Sequence, residues 1–434
     1  MIKLNYSNLF KIDQKHSISN EEISARGELI PQYLEKIHAR NQGFYSIIDH
    51  HETIDRINEY AEHVKGRYKS IVVLGIGGSS LGAITLKESL THLYQSQTPD
   101  NKTPNLYILD NIDPQLIAET ESVLHLPDTL FLVITKSGET PETLAQFFYF
   151  YDKIKAANLE AKDHFVAITD PNKGLLREIA TSHNFPSFEV PENVGGRFSV
   201  LTPVGLLPAA LIGINIQELI NDAQEMRYQF LNKDFKENLP FQIATIQYLL
   251  YKKGKTINVL MPYTQKLFRF ADWYRQLLAE STGKKFNNNQ EEVYLGITPI
   301  NALGATDQHS QSQLYNEGPN DKLIIFLQTL DKEPALKIPT TNLVDETDTR
   351  IAYLKTLNFK TLLDTEMQGT IDSLTSNDRP NILLQIDKLN AENLGGLFML
   401  FECATAFLGE YMEINAFDQP GVELSKQLTK KLLS

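Results

Sequence analysis

The sequence predicts an α/β protein: two α/β/α sandwich domains with mainly parallel sheets, plus helical N- and C-terminal segments. Three observations predict it. From about residue 53, short β-branched apolar runs alternate with longer amphipathic stretches, the pattern of a parallel sheet covered by helices on both faces. The rhythm pauses in a charged helical stretch at about 215–253 and then resumes, which splits it between two sheets. The chain has 434 residues, 42% of them hydrophobic, enough for two or three domains with a substantial core.

The elements follow in order. The first fifty residues carry helical stretches such as NEEISARGELIPQYLEKIHA (20–39) and no strong strand signal, so 1–50 is expected to be a helical N-terminal segment. In the expected first domain, 51–214, SIVVLGI (70–76) reads as a buried strand and LGAITLKESLTHLY (81–94) as the helix after it. NLYILDN (105–111), TLFLVIT (129–135) and HFVAITD (164–170) are further strands. In the expected second domain, 215–410, the strands are KTINVLMPY (255–263), KLIIFLQTL (322–330) and NILLQID (381–387). LFRFADWYRQLLAE (267–280) and AENLGGLFMLFECATAFLGEYM (391–412) are its helices, and 411–434 closes the chain as a C-terminal segment.

Charge and cysteine usage exclude several function classes. The chain holds 41 basic and 54 acidic residues, a net charge of -13, without a dense Lys/Arg block. Phosphate-backbone binding depends on clustered cations, so neither nucleic acid nor an anionic membrane is an expected partner. A local pocket for a small anion is compatible with that balance. Cys403 is the only cysteine, which rules out an intramolecular disulfide and a cysteine-rich zinc site. The N-terminus lacks the apolar core of a signal peptide, and stretches such as VGLLPAALIGI (204–214) are too short to span a bilayer. A cytoplasmic location is the default expectation.

In open parallel sheets, ligands bind beyond the carboxyl ends of strands, where loops lead into helix N-termini. GIGGSSLG (75–82) sits at one such end. It is neither a dinucleotide fingerprint, because Ser80 occupies the third glycine position, nor a phosphate-binding Gly-Lys-Ser/Thr loop. A tight strand-to-helix turn accounts for it at least as well as a ligand does. TKSGETPET (135–143) sits at the other. Thr140 fits an N-cap, Pro141 the first helical position and Glu142 the positive end of the dipole. Capping leaves Lys136, Ser137 and Gly138 unexplained: a cation, a hydroxyl and a flexible amide that together suit a phosphate. In ENVGGRFSVLTPVG (192–205), Arg197 follows two glycines. It fits either a surface charge or a fixed planar cation aimed at developing negative charge.

Taken together, GIGGSSLG, TKSGETPET, ENVGGRFS, QLLAESTGK (276–284), DQHSQSQLYNEG (307–318) and FDQPGVELSK (417–426) resemble the glucose-6-phosphate isomerase family. The resemblance runs from about residue 50 to 434, with the six segments in family order, and the chain is similar to the family's compact bacterial members. It implies two sugar isomerase (SIS) domains in a homodimer whose active site lies at the subunit interface. It implies reversible isomerisation of glucose 6-phosphate and fructose 6-phosphate in glycolysis and gluconeogenesis, by ring opening and a cis-enediol intermediate. No cofactor and no metal is implied.

The family's roles carry over residue by residue. Glu280 matches the base that moves the proton between C1 and C2. It lies near an expected helix C-terminus, where the macrodipole disfavours a carboxylate and leaves it poised to accept a proton. Gln276, at i-4, faces the same side and matches a substrate contact. Arg197 matches the arginine that stabilises the enediolate. His309 matches the ring-opening histidine, donated in the family by the partner chain, and an imidazole titrates near neutrality as that task requires. Lys426 matches a lysine that assists ring opening, and Gln419 a ligand contact. Thr135, Lys136, Ser137 and Thr140 match the phosphate loop, with Gly78 and Ser79 at sugar-contacting positions. Thr135 and Ser137 exchange the serine and threonine of animal members, and Gly138 and Glu139 replace bulkier or neutral residues.

Two alternatives compete. A non-catalytic SIS-type regulatory protein that binds sugar phosphates needs TKSGETPET but not Glu280, Arg197, His309 and Lys426 together. The isomerase part of glucosamine-6-phosphate synthase accompanies an N-terminal cysteine nucleophile, whereas this chain begins MIKLNY.

Overall fold

The computed structural model describes residues 2–98, 103–331, 333–339 and 348–433. The chain opens on a short strand, β1 (Ile2–Asn5), and then builds a first sheet from β2 (Ser70–Leu74), β3 (Asn105–Leu109), β4 (Thr129–Ile134), β5 (Phe165–Thr169) and β6 (Ser187–Glu189). These five strands are all parallel, in the order β3-β2-β4-β5-β6. Later come β7 (Ile257–Pro262), a two-stranded hairpin of β8 (Lys284–Phe286) and β9 (Glu292–Leu295), then β10 (Thr298–Asn301), β11 (Lys322–Thr329) and β12 (Asn381–Ile386). The second sheet has the order β1-β12-β11-β7-β10, parallel except for β1. Apart from β1, its strands run parallel as in the first sheet.

The pleat of β4 explains how one strand serves two cores. Leu130, Leu132 and Ile134 point into the largest buried cluster, while Phe131 and Val133 point into a second one. A strand buried on both faces reads as an uninterrupted apolar run, as TLFLVI does. The second cluster holds Phe131 against Phe150 of the helix Pro141–Ala156, ring centroids 4.8 Å apart. A third cluster, with Val259, Phe326 and Ile371, covers the outer face of the second sheet. The largest cluster joins Ile71 and Val73 of β2 to Leu323 and Leu384 of β11 and β12, so the two sheets share one central core. Its middle is the helix Ala391–Tyr411, buried along nearly its whole length, against the helices Ile216–Leu231 and Leu239–Lys252. A helix surrounded by others is apolar all round, hence LGGLFMLF.

The seven strands predicted above are present. The N-terminal segment differs from expectation in containing β1, whose four residues are too few to register as a periodic signal; Ile2 pairs with Ile386. The stretch 20–39 is also not one helix. A 3-10 turn at Ala25–Leu29 separates Asn20–Ser24 from Ile30–Ala39, because Pro31 has no N–H to continue the ladder. Strands β6, β8, β9 and β10, three or four residues each, were not anticipated either. Among the described residues, no helix is long and apolar enough to cross a membrane.

Candidate active site

In the first sheet, the chain winds outward from β2 to β3 on one side and from β4 to β6 on the other. The neighbours β2 and β4 therefore mark the reversal of strand order, where doubly wound sheets open a crevice at their carboxyl ends. The loops that follow β2 and β4 are the two singled out in the sequence.

After β4, three hydroxyls converge. Thr135 Oγ1 lies 2.7 Å from Thr140 Oγ1 and 3.3 Å from Ser137 Oγ, and the last two are 3.4 Å apart. Gly138 takes a φ of +70°, a left-handed conformation suited to glycine, and the Glu139 N–H donates to Ser137 Oγ at 3.2 Å. Thr140 stands at the N-cap of the helix Pro141–Ala156, as predicted, yet its side chain makes no capping bond. Its hydroxyl is committed to Thr135 instead. The first turn of that helix thus presents N–H groups that its N-cap side chain does not satisfy, beside a hydroxyl trio, an arrangement that favours an anion. Lys136 differs from expectation. Its Nζ donates to the Glu192 carbonyl at 2.8 Å, which ties the loop to the segment before Arg197. Burial holds this ammonium below the usual lysine range, against the opposing pull of Asp170 and Glu192.

After β2, Gly77–Ser79 forms a 3-10 turn with partly buried Gly78 and Ser79. This turn abuts the backbone of Gly196 and Arg197. The contact brings Arg197, on its own 3-10 turn Gly196–Phe198, to the mouth of the first sheet.

Arg197 gathers the rest of the site. Its Nε donates to Ser281 Oγ at 2.8 Å. Nη1 donates to Gln419 Oε1 at 2.8 Å and to Glu280 Oε2 at 3.3 Å. Nη2 donates to the carbonyls of Ala416 at 2.5 Å and Asp418 at 3.1 Å. Five contacts match the five N–H donors of a guanidinium, in a fork that lysine lacks. The Arg197 side chain is 2% exposed and that of Glu280 33%, so the cation is buried while the carboxylate remains partly open to solvent. Burial lowers the Arg197 pKa, opposed by the charges of Glu280 and Asp418.

Glu280 lies in the last turn of the helix Phe268–Thr282. Its Oε1 accepts from Gln276 Nε2 at 3.0 Å, the i-4 relationship read from the sequence. Lys284 fixes the backbone here: its Nζ donates to the carbonyls of Glu280 and Asp418, each at 2.7 Å. Burial and then the neighbouring Arg197 lower the Lys284 pKa. Ser281, Lys284 and Asp418 were missed in the sequence. A signal for Lys284 existed, since lysines just past a helix end commonly bind its last carbonyls. Toward Arg197, Asp418 and Ala416 act through backbone oxygens, which side-chain identity does not encode.

Two candidates make no hydrogen bond or ion pair with the Arg197 cluster among the described residues. His309 ends the 3-10 turn Thr306–His309 and lines a cavity with Gln308, Ser312, Asn316 and Glu366. Among the described residues, no hydrogen bond or ion pair joins it to Arg197, Glu280 or Gln419. Lys426 pairs with Glu423 at 2.8 Å on the helix Glu423–Leu433, which buries no residue and exposes Leu424, Leu428 and Leu432. Among the described residues, no group of three or more His, Cys, Asp or Glu side chains is placed to hold a metal ion.

The phosphoglucose isomerase family profile matches residues 21–434. A glucose-6-phosphate isomerase of Carboxydothermus hydrogenoformans is 40% identical, over 100% of this chain and 94% of that protein. A crystal structure of a hypothetical protein from Thermus thermophilus superimposes with a TM-score of 0.89 at 31% identity, covering 100% of both chains. The fold also matches a glucose-6-phosphate isomerase from Chlamydia trachomatis, with a TM-score of 0.77 at 22% identity over 99% of this chain and 77% of that one.

Proposed function

The chain belongs to the phosphoglucose isomerase family, and from that premise we propose a division of labour among the residues gathered around Arg197. The protein is an aldose–ketose isomerase that interconverts glucose 6-phosphate and fructose 6-phosphate; the non-catalytic alternative is not favoured.

In this reading Glu280 takes the proton from C2 of the open-chain aldose and returns it to C1, passing through a cis-enediol. As the carboxylate is neutralised, negative charge grows on the substrate oxygen. Arg197, already desolvated and held by five contacts, offers that oxygen a fixed positive field, which is how fixed cations stabilise such intermediates; a direct hydrogen bond to the substrate would take over the Nη1 donor now shared by Glu280 and Gln419. Gln276 and Gln419 contact sugar hydroxyls. Thr135, Ser137, Thr140 and the first turn of the helix Pro141–Ala156 hold the 6-phosphate, with Gly78 and Ser79 alongside. Lys136 contributes positive charge to the loop from its seat at the Glu192 carbonyl. Ring opening falls to His309 and Lys426.

His309 and the Arg197 cluster meet, in this reading, across the interface of a homodimer, with the histidine supplied by the second copy. The uncovered apolar side of the helix Glu423–Leu433 supports it, and among the described residues no hydrogen bond or ion pair ties His309 to the Arg197 cluster within one chain. The reaction needs no cofactor, and we place the protein in the cytoplasm.

The observation that carries the reading is that one buried cation touches both the candidate base Glu280 and Gln419. A coupled assay of the purified protein, without added cofactor, tests the activity; no turnover in either direction overturns it. Glu280→Gln tests the base: substrate still binds but most turnover is lost, and near-normal kcat removes Glu280 from that role.

A further inference from the structure

Lys284 has no role in the chemistry described so far, yet its side chain is 4% exposed. Such burial of an ammonium requires partners, and three oxygens lie within reach of its Nζ. Two are the carbonyls of Glu280 and Asp418, and the third is the Asp418 carboxylate, with Oδ1 at 3.4 Å. The Glu280 carbonyl is among the last four of the helix Phe268–Thr282, which lack partners within the helix. Lys284 supplies that partner from one residue beyond the Gly283 C-cap.

The Asp418 carbonyl accepts from Lys284 and also from Arg197 Nη2. One backbone oxygen therefore joins two buried cations, and the residue after it, Gln419, bonds Arg197 Nη1. A closed circuit results. It runs from the Glu280 backbone through Lys284 to Asp418, on to Arg197, and back to the Glu280 side chain at 3.3 Å. Among the described residues, the hydrogen bonds that would then still join the helix end to the 416–419 loop, were the lysine absent, are those made by Arg197.

We infer that Lys284 is a positioning residue for the isomerisation: it clamps the main chain of Glu280 to the Asp418 turn and so sets the distance between the base and Arg197. This rests on the assignment of Glu280 as the base. Misplacing a catalytic group by about 1 Å lowers turnover on the order of 100-fold, while contacts to the phosphate end of the substrate stay intact. Lys284→Met should therefore reduce kcat on the order of 100-fold with KM close to wild type. Lys284→Arg, which keeps charge and donors, should restore most of that loss.

The experiment measures kcat and KM for the wild type, Lys284→Met, Lys284→Arg, Glu280→Gln and the Glu280→Gln/Lys284→Met double variant, with circular dichroism confirming folding. If Lys284 acts through Glu280, the second substitution adds little to the first. Independent, multiplicative losses overturn the inference, as does a Lys284→Met enzyme with raised KM and unchanged kcat. If Lys284→Met does not fold, Lys284→Gln is read by the same criteria; if neither folds, the residue is structural and the inference fails. Near-normal turnover of Glu280→Gln retires the base assignment itself. An inactive Glu280→Gln beside an unimpaired Lys284→Met retires only the inference.

Discussion

Gly78 lies so close to Gly196 that a β-carbon on Gly78 would sit 2.2 Å from the Gly196 carbonyl oxygen and 2.9 Å from the Arg197 nitrogen. Both obstacles are backbone, so neither yields by rotating a side chain. Gly196 itself has nothing within 4 Å of its own β-carbon position. The pair predicts opposite outcomes. Gly78→Ala should force apart the turns that carry Ser79 and Arg197 and reduce kcat/KM on the order of 100-fold, whereas Gly196→Ala should stay near wild type. Steady-state kinetics of both variants checks this; equal behaviour contradicts it.

Arg197→Lys keeps a positive charge but replaces five forked donors with three on a flexible stem. The carbonyls of Ala416 and Asp418, Ser281 Oγ, Glu280 and Gln419 cannot all be served. We expect kcat to fall on the order of 100- to 1,000-fold, the range for losing a fixed electrostatic stabiliser, with a smaller change in KM. A kcat within a few-fold of wild type would show that charge alone is enough.

Thr140→Val separates capping from ligand binding. An N-cap hydroxyl typically contributes about 1 kcal/mol to stability, but that of Thr140 bonds Thr135 and caps nothing. The variant should lose little stability in urea titration. On the proposed assignment of Thr140 to the 6-phosphate, its KM for the sugar phosphate should rise with kcat little changed, because a phosphate held alike in the ground and transition states contributes uniform binding.

These residues also show what was legible in the sequence. β4 could be read because both its faces are buried, leaving an unbroken apolar run, and the loop after it because hydroxyls and a lysine exceed what a helix start needs. Glu280 and Gln276 could be paired because i and i-4 share a helix face. Contacts between distant segments could not be read. Arg197 meets Gln419 from 222 positions away, and Asp418 contributes a carbonyl that any residue could supply. The four residues of β1 acquire strand character only by adding to β12. The capping role of Thr140 was a sound local inference that a neighbouring hydroxyl, Thr135, overrode.

Asp222 predicts a pH dependence of stability separate from catalysis. Burial raises its pKa from the ordinary carboxyl range to about 7, although the Gly396 N–H, which donates to its carboxylate, works the other way. The folded state therefore holds the proton that the unfolded state has already released. Its contribution is fully present below the unfolded value, near 4, and is lost as pH rises through about 7. Asp222→Asn keeps an acceptor for Gly396 without the titration. By urea denaturation it should match wild type at about pH 4 and exceed it at about pH 8, by roughly 1 kcal/mol once its partial exposure is discounted. No gain at the higher pH would contradict the burial argument.

The proposed donation of His309 across a homodimer interface predicts complementation between two inactive variants. If the second copy supplies His309, each active site of a homodimer takes Glu280 from one chain and His309 from the other. A Glu280→Gln homodimer and a His309→Ala homodimer each lack one residue in both sites. In a mixed dimer, one site carries both lesions and the other carries none. Unfolding and refolding an equal mixture makes mixed dimers about half of the population, so about a quarter of wild-type activity should return. Glu280→Gln combined with Lys426→Ala gives the contrast. Lys426 follows Gln419 by only seven residues and is expected to serve the same site as Glu280, so both lesions fall in one site only when they share a chain. Every site of that mixed dimer is then defective and activity stays low. Recovery with Lys426→Ala but not with His309→Ala would reverse the assignment of which element crosses the interface.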